Sequence, residues 1–369
     1  MSNKKILIIH DRFQYKGGGE RLCLIMAQGL NADIATGYWD EKNSFSKSEA
    51  PSKIITLGKQ TKIRGLGYIS AQVRFFFKTR FIKDYNVIIF SGNNCLSSAW
   101  RVKNKRKIMY CHTPVRYAYD LKDYYYKKYP FYLKPIFLFF VYLARIIYKW
   151  GIKKMDVVMA NSHNVQNRLE KFCQIKSIVV NPPIDLEKFN RKEIQFPIGN
   201  WISDSYYLSF ARLVDLKRVG DIAKAFQKMP DKKLVIASGG PELDKIKELA
   251  KNYNNIKVLG FVSDEKLIEL VGNCIANIYI PVDEDFGMSP LEAGSAGKPT
   301  IGVDDGGLKE TIIHEKTGYL ISKDYKIDDL IKAVEWLDGK KAGEMKEDCI
   351  RQAEKFSKEK FVQNIKNML

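Results

Sequence analysis

The stretch EDFGMSPLEAGSAGKP, Glu284–Pro299, follows the apolar segment Cys274–Ile280, and its reading decides that of the chain. Glu284 and Glu292 flank a turn containing Gly287, and Ser289-Pro290 reads as the cap and first position of a short helix. A strand therefore delivers a loop onto a helix N-terminus. Such an end carries unpaired N–H groups and a partial positive charge, so it suits a phosphate or another anion. Gly287 removes a side chain where a ligand would touch backbone. The same letters have a second reading, because Ser289 with Glu292 three positions later matches a capping box.

Outward from this stretch, strand and helix patterns alternate. KKILIIH (Lys4–His10) is a continuous apolar run, the mark of a buried parallel strand, and Gly17-Gly18-Gly19 then opens a helix with Leu22, Ile25, Met26 and Leu30 on one face. The glycines have neither GxGxxG spacing nor a lysine after them, so dinucleotide and Walker fingerprints are both absent. Further strands are expected at Asn86–Phe90, Lys107–Cys111, Asp156–Ala160, Ser177–Val180, Tyr206–Phe210, Lys233–Ala237, Ile256–Leu259, Ile275–Ile280 and Pro299–Gly302. That pattern is doubly wound α/β. Pro182-Pro183 and the irregular run after it place a domain boundary near 185–203. Arg212, Lys217 and Arg218 follow the strand Tyr206–Phe210 at the edge where open α/β sheets bind ligands.

Charge divides unevenly. Of the 61 Lys and Arg and 42 Asp and Glu, residues 1–200 hold 35 and 14, a surplus of 21, and the remainder holds 26 and 28. A one-sided surplus suggests one face meeting a polyanion, and no nucleic-acid-binding motif is visible. From Tyr117 to Trp150 aromatic and basic residues interleave around an apolar core, Pro135–Ala144, too short to span a bilayer but suited to an interface. The alternative is a buried aromatic helix with a solvated basic face. Met1–Ile9 lacks a signal-peptide pattern, and the six dispersed cysteines read as reduced, packed thiols, so a cytoplasmic protein is expected.

Taken in order, GGGER, CHTPVRYAYD, ANSHNVQNRL, NPPIDLEKF, ARLVDLKRV, EDFGMSPLEAGSAGKP and the terminal FSKEKFVQNIKNML resemble the motifs of retaining glycosyltransferases of family 4 from end to end. The HTPVRYAYDL run is particularly similar to O-antigen mannosyltransferases. The resemblance implies the GT-B fold: two Rossmann-like doubly wound domains facing a central cleft. Residues 1–190, with 356–369 crossing back, would form an acceptor- and membrane-facing domain, and 191–355 would bind the nucleotide sugar. It implies Arg212 and Lys217 on the leaving diphosphate, Glu284 on sugar hydroxyls and Glu292 on the ribose. Phe286, Gly287 and Met288 would line the donor with Gly18 and Gly19, His112 would meet the donor sugar, and Arg116 and Tyr117 would meet the acceptor. His112, Glu284, Arg212 and Lys217 are then the catalytic set. No metal or cofactor is expected, since Asp283 and Asp285 bracket Glu284 and Asp304-Asp305 lie beyond the site. The implied partners are GDP-mannose or a UDP-sugar, a lipid-linked glycan acceptor and the anionic inner face of the cell membrane, with no nucleic acid. Alternatives are a GT-B epimerase or phosphorylase and a non-catalytic basic binding protein of the same fold.

Overall fold

The computed structural model describes residues 5–60, 66–189 and 205–369. It forms two compact units, Met1–Pro182 with Glu359–Leu369, and Pro183–Lys358. The expected border at 190/191 lies outside the described residues. The chain instead divides earlier, at Pro182/Pro183, and returns at Lys358/Glu359.

The first unit is built on a parallel sheet of β1 (Ile6–His10), β2 (Asp33–Thr36), β3 (Ile54–Thr56), β4 (Val87–Ser91), β5 (Arg106–Cys111), β6 (Val157–Ala160) and β7 (Ile178–Val179), in the order β3-β2-β1-β4-β5-β6-β7. Strand order reverses between β1 and β4, and the paired register His10↔Ser91 brings both carboxyl ends together there. β1 and β4 are buried at every position, as their unbroken apolar runs require. Phe361 and Ile365, near the chain end, are buried in this unit's core, and the Phe361 ring meets Tyr110 edge-on at 5.7 Å.

The second unit carries β8 (Tyr206–Ser209), β9 (Lys233–Ile236), β10 (Ile256–Val258), β11 (Asn277–Tyr279), β12 (Thr300–Val303) and β13 (Gly318–Ile321), in the parallel order β10-β9-β8-β11-β12-β13. Again the order reverses between the first strand and its neighbour, here β8 and β11. Both sheets thus place a crevice at a switch point. β2, β3 and β13 are not among the expected strands. β3 is half-buried and only three residues long, and β13 carries Tyr319 and Leu320 half-exposed, so neither shows a buried apolar run.

The helix Lys134–Ile152 extends beyond the expected apolar core at Ala144. Arg145 does not interrupt it, because its Nε turns inward and donates to Ala118 O at 2.7 Å, and Ile146, Ile147 and Trp150 continue the apolar run with Lys149 exposed among them. With the turn before it, Phe131–Ile152 is long and apolar enough to cross a membrane by length and composition, which corrects the ten-residue count. One stripe, Phe137, Val141, Ala144, Tyr148 and Ile152, is buried in the core of the first unit. The opposite face exposes Ile136, Phe139 and Tyr142, and Phe131 before it is 82% exposed.

Candidate functional site

In the second unit, three neighbouring strands, β8, β11 and β12, send their following loops to one edge. Leu216 O accepts from Val282 N at 2.8 Å, and Arg218 donates to Ile280 O at 2.7 Å and Pro281 O at 2.8 Å. These bonds tie the loop after β8 to the loop after β11. Lys217 is thereby set against Glu284, with Nζ 2.5 Å from both Glu284 Oε2 and the Tyr279 hydroxyl. Burial, then the negative charges of Glu284, Asp285 and Glu292, push the Tyr279 hydroxyl far above its ordinary range, so it stays protonated. Arg212 is exposed at the start of the same loop.

The turn at Gly287 differs from expectation. The helix begins at Met288 with Gly287 as its cap, in the left-handed region at φ 91°, and Ser289 lies one turn position inside. Glycine makes that cap conformation accessible, so the chain does not wait for a serine and the capping box between Ser289 and Glu292 is not formed. A Cβ at Gly287 would lie 2.6 Å from Leu308 Cδ2. Phe286 buries its ring against Phe356 at 5.4 Å, so its backbone, not its side chain, belongs to the loop surface. Met288 and Glu292 are half-buried on the helix.

Of Asp304 and Asp305, expected beyond this site, Asp305 reaches into it, while Asp304 pairs with Lys309. Asp305 Oδ2 accepts from Asp283 N at 2.9 Å, and Gly307 N donates to Glu284 O at 2.8 Å. Gly306, at φ 57°, packs where a Cβ would meet Glu284 N at 2.7 Å. The Asp-Gly-Gly turn after β12 is therefore a brace for Glu284. Sequence reasoning missed it together with Tyr279, although an Asp-Asp-Gly-Gly run directly after a strand was a visible signal. Arg218 was grouped with the anion-facing cations, and its guanidinium is instead spent on carbonyls. Among the described residues no group of three or more His, Cys, Asp or Glu gathers to hold a metal ion.

In the first unit, the carboxyl ends of β1, β4 and β5 bring His10, Ser91 and His112 into one chain. Ser91 Oγ is 3.3 Å from His10 Nδ1 and 2.8 Å from His112 Nε2. Burial lowers the His10 pKa to about 4 and that of His112 to about 3, where the proximity of His10 adds to the effect. Both rings are neutral near pH 7 and can exchange hydrogen bonds with hydroxyls without acting as cations. Gly19 opens beside them: a Cβ there would lie 3.8 Å from both His10 Cε1 and His112 Cε1. Gly18 begins the helix Gly18–Leu30. The glycines serve close approach here, since neither requires positive φ.

Asp11, next to His10, was not among the sequence candidates. Its carboxylate accepts from Asn93 N at 3.0 Å, Asn94 N at 2.9 Å and Cys95 N at 2.8 Å, fixing the loop after β4. It also lines a cavity of about 710 Å³ whose walls include Arg12, Gln14, Tyr38, Arg74, Asn94 and Tyr117. Amide, phenol and guanidinium groups converging there provide directional partners for a polyhydroxylated or anionic ligand. Tyr117, which the resemblance assigned to the acceptor, lines this cavity. Arg116 turns elsewhere, pairing with Asp120 at 2.8 Å, and does not line the cavity.

Residues 190–356 match the family model described as Glycosyl transferases group 1, which places that domain in the second unit. The N-acetyl-alpha-D-glucosaminyl L-malate synthase of Bacillus anthracis is 32% identical over 181 residues, 47% of this chain and 48% of that protein, so the match spans about half the length of that relative. The human alpha-1,3/1,6-mannosyltransferase ALG2 is 24% identical over 84% of this chain and 82% of its own. Among solved structures, Anabaena Alr3699/HepE in complex with UDP and glucose superposes with a TM-score of 0.77 over 98% of both chains at 15% identity. The fold is α/β of the GT-B type, two Rossmann-like doubly wound units.

Proposed function

We propose that this protein is a retaining, metal-independent hexosyltransferase of surface-glycan biosynthesis, such as that of lipopolysaccharide O-antigen or another polysaccharide. It moves mannose from GDP-mannose onto a lipid-linked oligosaccharide or polysaccharide precursor. The observation that carries the reading is the set Lys217, Glu284 and Tyr279 beside exposed Arg212, at the carboxyl edge of a sheet within a group 1 glycosyl transferase domain. A departing nucleoside diphosphate gains negative charge, and fixed cations aimed at it lower the barrier only if they bind it more strongly in the transition state. Arg212 supplies a guanidinium for two phosphate oxygens and Lys217 a point charge. Glu284, held by Lys217 and braced by Gly307 N, binds donor hydroxyls and Glu292 the ribose; in the first unit, neutral His112 offers a ring nitrogen to a sugar hydroxyl.

Mannose is favoured by the likeness to ALG2 mannosyltransferases over most of the chain. A UDP-sugar is the second reading, favoured by the neighbouring structure that holds UDP and glucose. The basic surplus of residues 1–200 and the exposed aromatic face of Phe131–Trp150 support a peripheral position on the inner face of the cell membrane. A screen of nucleotide sugars for hydrolysis, with excess EDTA present, tests the reading. Turnover of GDP-mannose is the expected result. Turnover of a UDP-sugar alone would move the assignment to the second donor, and no turnover of any would sink it.

A further inference from the structure

The first unit carries an apolar furrow beside the 710 Å³ cavity, with the end of the aromatic helix as one wall. The helices Leu66–Phe77 and Lys134–Ile152 both pack on the short helical segment Cys95–Arg101. Gly151 permits the second contact, since a Cβ there would lie 2.8 Å from Leu96 Cβ. Between the two helices remains a furrow of about 400 Å³, with Val73, Phe76 and Phe77 on one wall and Ile146, Ile147 and Trp150 on the other. Among the described residues, Gln72 and Ser97 are its only polar lining residues.

The furrow adjoins the 710 Å³ polar cavity: Ile147 lines both, and the helix Leu66–Phe77 gives Ala71 and Arg74 to the cavity but Val73 and Phe76 to the furrow. Beyond it Phe76 stacks on Trp100 at 4.8 Å, and the Arg101 guanidinium, spent on Phe76 O at 2.9 Å and Phe77 O at 3.2 Å, lies 4.2 Å from the Trp100 ring and leaves the cationic character to its neighbours. Arg80, Lys83 and Lys103 join these two in a pocket of about 350 Å³ that, among the described residues, no carboxylate lines. The polar cavity and the apolar furrow thus lie side by side on adjacent faces of the helix Leu66–Phe77, and the cationic pocket adjoins the furrow where Phe76 stacks on Trp100.

We infer that the furrow holds the hydrocarbon tail of a phosphate-linked amphiphile whose polar head occupies the cavity, a claim that rests on the lipid-linked acceptor proposed above. A soluble sugar leaves this channel wet, with six large apolar side chains unmatched. A flat bilayer surface does not enter a concave groove, whereas a single chain does. The cationic pocket matches the anionic headgroups through which such a tail passes.

Calorimetric titration of the full chain with farnesyl diphosphate and with isopentenyl diphosphate, in the absence of vesicles, tests this. The longer tail is expected to bind one to one and at least about thirtyfold more tightly. In Val73→Asn/Ile146→Asn, whose side chains are half-exposed and therefore tolerant of exchange, that preference falls to about threefold or less, while the affinity for isopentenyl diphosphate and hydrolysis of the nucleotide sugar stay as in the wild type. Equal binding of the two probes, no binding of either, binding only in the presence of neutral vesicles, or an unaltered preference in the double variant would each overturn the furrow's role. Absence of nucleotide-sugar hydrolysis in the wild-type chain would instead remove the transferase reading, so the two failures are separable.

Discussion

The half-buried Glu284 loop and the helix Lys134–Ile152, with its exposed outer face, are held in opposite ways. The loop is tied to its neighbours by directional bonds: Leu216 O to Val282 N, Asp305 to Asp283 N, Gly307 N to Glu284 O. The helix is held along one apolar stripe and by Arg145 on Ala118 O. Polar bonds fix atoms to a few tenths of an ångström, which chemistry on a diphosphate requires. Apolar packing fixes a surface but leaves the outer face free to meet a partner without precise register. The difference predicts that single substitutions act strongly in the loop and weakly on the helix.

The largest effect is expected at Lys217. Lys217→Ala removes a cation from the proposed phosphate site and leaves Glu284 and the Tyr279 hydroxyl without its ammonium. Turnover should fall by roughly thirty- to a thousandfold, about 2–4 kcal/mol of transition-state stabilisation. Steady-state kinetics with the donor identified by the screen measures it. Wild-type turnover would show that the loop, however well braced, does not carry the chemistry.

The same contrast explains what the sequence disclosed. Paired glutamates, glycine turns and strand-end cations are local patterns, so the Glu284 loop and ten of the strands could be read from letters in order. The partners that tighten the loop are not local: Tyr279 and Lys217 are separated by 62 residues, Asp283 and Asp305 by 22. Asp11 caps a loop more than eighty residues away, and nothing in its neighbours announces that. Composition alone located the aromatic helix, but its length was misjudged because Arg145 counts as polar in a sequence and is apolar-neutral once its guanidinium turns inward. The furrow needed two helices placed on a third segment, which no single stretch records.

Next in size is the histidine pair, a rigid polar element in the first unit. With folded values near 4 for His10 and 3 for His112 against 6.5 for the free side chain, the unfolded chain binds more protons than the folded one between about pH 6.5 and pH 4. Stability is therefore complete above pH 6.5, falls as the pH drops through that window, and levels off below the folded values. The two rings share Ser91 Oγ and lower each other's proton affinity, so their contributions do not add. Urea midpoints between pH 4 and 7 should show the slope, and His10→Gln should flatten it. An unchanged slope in that variant would place the titration elsewhere.

Gly287 tests the loop through the backbone instead of a charge. Gly287→Ala keeps every polar bond but puts a Cβ at φ 91° and 2.6 Å from Leu308 Cδ2. A cost of about 1–3 kcal/mol in stability is expected, read as a lower thermal midpoint of the second unit. The helix start would have to shift if the protein tolerated the change without loss.

The smallest effects belong to the helix side, where single charges should matter little and only their sum should be visible. Lys122, Lys127, Lys128 and Lys134 precede or open the aromatic helix, with Lys128 over the Tyr124 ring at 4.0 Å and Lys134 over the Tyr126 ring at 4.7 Å. Each cation near an anionic bilayer contributes about 1 kcal/mol at most, so Lys127→Gln should weaken binding to phosphatidylglycerol-containing vesicles by no more than about fivefold. All four changed to Glu should abolish that binding and transfer to a lipid-linked acceptor while leaving donor hydrolysis intact. Salt above about 0.5 M should mimic the quadruple variant, because the screening length then falls to a few ångströms. Flotation assays with anionic and neutral vesicles read both. Should the quadruple variant still float, or should neutral vesicles bind as well as anionic ones, the exposed face of Phe131, Ile136, Phe139 and Tyr142 would be acting through apolar contact alone, and the basic surplus of residues 1–200 would have no part in docking.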